Sequence, residues 1–70
     1  TMTDFILRYV DGRGYLPILE KDGKEVYRGE YHSSPKLALE RCFIAEREIL
    51  GTEVDYENKK MLFITEREIK

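Results

Sequence analysis

The chain has one cysteine, one histidine and no tryptophan in 70 residues. A lone thiol, Cys42, forms no internal disulfide, so the staples of small secreted domains are missing. A lone imidazole, His32, excludes a multi-histidine metal centre. Apolar runs are short, and none approaches the ~20 residues of a membrane-spanning helix. The opening residues show no basic-then-apolar leader pattern, so a cytoplasmic location is the expectation. Positive charge is not in excess either. The net charge is −2 and the pI about 5.4. Up to Ser34 there are five cations (Arg8, Arg13, Lys21, Lys24, Arg28) against six carboxylates (Asp4, Asp11, Glu20, Asp22, Glu25, Glu30). Nucleic-acid binders need surplus cation to release counterions from phosphate.

What is there suffices for one small domain over residues 1–70. Hydrophobic residues make up 41% of the chain, and no Pro- or Gly-rich linker divides it. A chain this short buries only about 60% of its unfolded surface, so the core is one layer thick and a deep catalytic cleft is not expected.

The informative stretch runs from Gly14 to Gly51. Residues 4–10 alternate as a strand, with Phe5, Leu7 and Tyr9 on one face and Ile6, Arg8 and Val10 on the other. Asp11-Gly12-Arg13-Gly14 is a turn. Residues 15–20 form a second strand. Pro17 lacks an N–H, which places that strand at an edge or that position toward solvent. Asp22-Gly23 is a hairpin signal, and residues 25–31 form a third strand. Gly29 marks either a bulge or a close approach. Ser33 or Ser34 caps a helix that opens on Pro35 and stops at Gly51. Ala38, Cys42, Ala45 and Ile49 make its core stripe, flanked by Leu39, Phe43 and Leu50. Leu37 and Ile44 project on the opposite side, among Glu40, Arg41, Arg47 and Glu48. Glu46 falls beside the stripe and either reaches solvent or pairs with an arginine. Residues 52–56 and 60–65 are two further strand candidates.

The expected fold is therefore α+β, in the order β-β-β-α-β-β, with a mostly antiparallel sheet and one long helix on one face. A short repeat complicates the end of the chain: FIAEREI at 43–49 returns as FITEREI at 63–69. Either residues 61–70 include a second short helix, or the same letters adopt two conformations because tertiary context overrides propensity.

Chemistry-bearing patterns are sparse. Glu30 and His32 offer only one side of a metal site, so no metal or other cofactor is expected. Cys42 lies mid-helix on the apolar stripe, where a thiol behaves as a small hydrophobe and not as a nucleophile. Ser33 and Ser34 are helix caps. Gly12-Arg13-Gly14 joins two strands and lacks the helix of a phosphate-binding loop. No catalytic constellation emerges.

Two binding surfaces remain. Leu37, Ile44, Arg41 and Arg47 on the outer helix face suit a protein partner or a second copy of the chain. Arg8, Arg13, Tyr15, Lys24, Tyr27 and Arg28 interleave aromatics with cations on the strands, a pattern suited to single-stranded nucleic acid. The order of three strands and then a helix is similar to that of plant AP2 domains and of the arm-binding domains of phage-type integrases. Those domains rely on basic, aromatic strand faces, whereas Glu20, Glu25 and Glu30 stand among the cations here. A non-enzymatic protein-binding module is the first expectation, and a nucleic-acid-binding domain is the alternative.

Overall fold

The computed structural model describes residues 3–51 and 61–66. Strands β1 (Thr3–Val10), β2 (Gly14–Lys21) and β3 (Lys24–Arg28) precede helix α1 (Pro35–Leu50), and strand β4 (Met61–Glu66) follows it. The fold is α+β. The sheet order is β3-β2-β1-β4, with β1/β2 and β2/β3 antiparallel and β1/β4 parallel. The helical connection returns the chain in the direction of β1, which is why β4 pairs parallel. The strand expected at 52–56 lies outside the described residues.

The first hairpin register is continuous from Thr3↔Lys21 to Val10↔Gly14. At the second hairpin, Asp22 and Gly23 both take positive φ (51° and 81°), as the tight Asp-Gly turn requires. Strand β3 was expected to run to residue 31. Its ladder ends instead at Arg28, after a register shift between Leu19 and Glu20. The chain rejoins β2 at one bridge, where Tyr15 and His32 exchange two 2.8 Å backbone hydrogen bonds. Gly14 makes that approach feasible, because a Cβ there would lie 2.3 Å from the His32 carbonyl oxygen.

Pro17 corrects an expectation. It is buried on β2, which lies between β1 and β3 and not at an edge. Its carbonyl accepts from Gly29 N–H at 3.0 Å, on the same side as the Tyr15–His32 bridge. The nitrogen of Pro17 therefore faces the gap between the end of β3 and that bridge. A ladder break is where a residue without N–H is tolerated.

Helix α1 is capped by Ser34, whose hydroxyl accepts from Leu37 N–H at 3.3 Å, with Pro35 in its first turn. Ala38, Cys42 and Ala45 pack on Phe5, Leu7 and Leu19, with Tyr15, Tyr27 and Leu39 partly buried around them. The small helix residues let α1 sit close to the sheet, and the Cys42 thiol donates to the Ile18 carbonyl at 3.7 Å. The Phe43 ring meets Phe5 edge-on, with centroids 4.9 Å apart.

The core stripe is shorter than expected. Ile49 is 48% exposed. Among the described helix side chains the last buried one is Glu46, whose carboxylate accepts from the Thr3 hydroxyl at the end of β1, so Ile49 lies beyond that end of the sheet. The face of the sheet away from α1 is also apolar, with Ile6, Leu16 and Ile18 forming a second buried cluster. The repeated letters do take two conformations: residues 43–46 are helical in α1, and residues 63–66 are extended in β4.

Candidate interaction site

Among the described residues, six large apolar side chains are exposed, and four of them lie on α1: Leu37, Phe43, Ile44 and Ile49. Phe43 is held against Phe5, and Ile49 belongs to the core side of the helix. Leu37 (45% exposed) and Ile44 (46%) have neither role. They stand two turns apart on one stripe, with Arg41 between them. Phe43 and Glu46 contact β1 through Phe5 and Thr3. The Leu37–Arg41–Ile44 stripe is thus on the other flank of α1, toward β3. Arg47 stands on the exposed side one turn beyond Phe43, in the last turn, where a cation is also favourable to the helix dipole. Leu37, Arg41 and Ile44 fall in one row, whereas Arg47 lies off that row, next to Ile44 on the Phe43 side.

A pocket of about 280 Å³ opens at the seam between β3 and α1, lined by Tyr27, Gly29, Glu30, His32 and Arg41. It occupies the gap where β3 leaves the ladder. Gly29 holds its floor, because a Cβ there would stand 2.6 Å from the Tyr27 hydroxyl and 2.8 Å from Pro17 Cγ. The Tyr27 ring packs on the core, and this contact fixes where its hydroxyl sits. Among the described residues, the side chains of Tyr27, Glu30, His32 and Arg41 are not drawn into hydrogen bonds or ion pairs.

Glu30 and His32 thus share a site, but not as residues of a third strand. Their meeting with Arg41 depends on the ladder break and the Tyr15–His32 bridge. Pro17 and Gly29 were its traces in the sequence. Among the described residues, no three His, Cys, Asp or Glu side chains are grouped as metal ligands. Cys42 is fully buried, without access to a substrate.

The six residues of the aromatic–cationic pattern are not assembled on one surface. Tyr15 and Tyr27 pack toward the helix. Arg8 and Arg28 fall on the opposite face, in register with Leu16 and Ile18. Arg28 is engaged by Glu25 at 2.8 Å. Arg13 lies in the first turn, 5.7 Å over the Tyr31 ring, and Lys24 is at the far hairpin. The Tyr9 and Tyr15 rings contact each other at a tilt of 48°, with centroids 4.9 Å apart.

The chain matches no family model, no curated protein and no solved structure. No helix among the described residues is long and apolar enough to cross a membrane.

Proposed function

We propose that the protein is a non-enzymatic cytoplasmic interaction module. It binds a protein partner through the outer face of α1 and acts as a regulator, inhibitor or accessory subunit. Leu37 and Ile44 are the apolar anchors, and Arg41 and Arg47 are the polar contacts around them. The observation that carries this reading is the paired exposure of Leu37 and Ile44 on one stripe of α1, apart from Phe43, which packs on Phe5, and from Ile49, which is exposed on the core side of the helix. Scattered apolar exposure is ordinary on any surface. Two such residues framing an arginine resemble the apolar core and polar rim of a binding patch. Self-association into a homodimer through the same stripe is one form this binding takes.

Leu37→Glu combined with Ile44→Glu tests it. The double variant is expected to keep its thermal transition, because both side chains are about half exposed and outside the core cluster, and to lose self-association in sedimentation velocity or capture of its partner. A collapsed thermal transition would make them structural residues and remove the proposal.

Nucleic acid is the alternative ligand. It is favoured only by the Arg13–Tyr31 contact and the neighbouring Tyr9–Tyr15 pair. Arg13→Ala should then weaken binding and flatten its salt dependence. Absence of binding at low salt would exclude it.

A further inference from the structure

We propose that the pocket between β3 and α1 receives a carboxylate of the partner, carried by an acidic side chain in peptide linkage. This rests on reading the chain as a protein-interaction module. Three residues whose side chains carry donors line the pocket: Arg41, Tyr27 and His32. A guanidinium matches the two oxygens of a carboxylate with parallel N–H bonds. The Tyr27 hydroxyl is placed in advance by its contact with Gly29, so little ordering is needed when a ligand arrives. None of the three donors is engaged elsewhere among the described residues.

Size and charge narrow the ligand. At about 280 Å³ the pocket is at the low end of the ~300–1,000 Å³ of ordinary small-molecule sites, a size that suits one side chain. Glu30 offsets the charge of Arg41. Its repulsion weighs more on a dianionic phosphate than on a monoanionic carboxylate. Arg41 belongs to the pocket and also to the Leu37–Ile44 stripe. An acidic residue seated here therefore lies next to the apolar contacts of the docking face. The partner segment fits the chemistry of an aspartate or glutamate between aliphatic residues.

The test is an NMR titration of the full ¹⁵N-labelled chain with the capped tripeptide acetyl-Leu-Glu-Leu-amide and, separately, with its Gln counterpart. The Glu peptide should give saturable shifts centred on His32 and Arg41. Because the site is open to solvent, binding should fall about fivefold with the Gln peptide, and again with Arg41→Gln. Tyr27→Phe, which keeps the ring packing, should show a smaller loss. Equal affinity for the two peptides, or no shift at the pocket, would overturn the carboxylate assignment. So would displacement of the Glu peptide by inorganic phosphate at equal or lower concentration. Each of these failures leaves the docking face standing, because that is judged separately by Leu37→Glu and Ile44→Glu.

Discussion

The Thr3 hydroxyl donates to the Glu46 carboxylate at 2.5 Å, and both residues are buried. The bond ties the first residue of β1 to the fourth turn of α1, and it marks where the helix leaves the sheet. Thr3→Val keeps the shape and removes a partner from a buried carboxylate. The expected loss is about 1–3 kcal/mol of stability. For a domain of this size each kcal/mol lowers the Tm by about 4–8 °C. A double-mutant cycle with Glu46→Gln should show coupling between the two positions, and additive losses would contradict their direct linkage.

Gly14 and Gly23 both have positive φ, yet they should not tolerate alanine equally. At Gly23 (φ 81°) a Cβ meets nothing within 4 Å. Gly23→Ala should cost about 1–2 kcal/mol, from backbone conformation alone. At Gly14 (φ 108°) the same atom would strike the His32 carbonyl and break the bridge that sets the start of α1. Gly14→Ala should be the more destabilising of the two in urea titration. It should also remove protection of the Tyr15 and His32 amides in hydrogen exchange.

Cys42 sits at full burial among Leu19, Ala38 and Ala45. Its thiol should stay unreactive to Ellman's reagent in native buffer and react quickly in denaturant. Cys42→Leu overfills the gap between helix and sheet and should cost about 1–3 kcal/mol. Rapid native labelling of Cys42 would contradict the packing described.

Thr65→Ala makes the segment at 63–69 identical to the one at 43–49. Pairing with β1, not local propensity, holds residues 61–66 extended. The Ala variant should keep strand-type ¹³Cα shifts across 61–66. Helical shifts there would show that the single threonine decides the conformation.

Much of this fold was legible in local signals. Asp22-Gly23, the Ser34-Pro35 start and the Ala38–Cys42–Ala45 stripe each depend on contacts within a turn or a helical face, which sequence spacing encodes directly. Three features escaped because they depend on distant partners. Ile49 has the right helical phase for the core, but the sheet ends at Thr3. The run Leu16-Pro17-Ile18-Leu19 is buried on both faces. That unbroken run was the available sign of a central, two-sided strand, and the proline argued against it. The pocket requires Gly29, His32 and Arg41 to meet across a ladder break, and no spacing in the chain records that meeting. At the docking face, the outward position of Leu37 and Ile44 was a matter of helical phase. The junction of Arg41 with Tyr27 was not.

The central claim, that the Leu37–Ile44 stripe binds protein, is met most directly by affinity capture. The tagged wild type and the Leu37→Glu, Ile44→Glu variant would be compared in lysate of the source organism with and without nuclease, with eluates identified by mass spectrometry. The account predicts one stoichiometric protein on the wild type and its loss from the variant, with both showing the same thermal transition. Capture undiminished by the two substitutions, or captured material that disappears with nuclease, would contradict it.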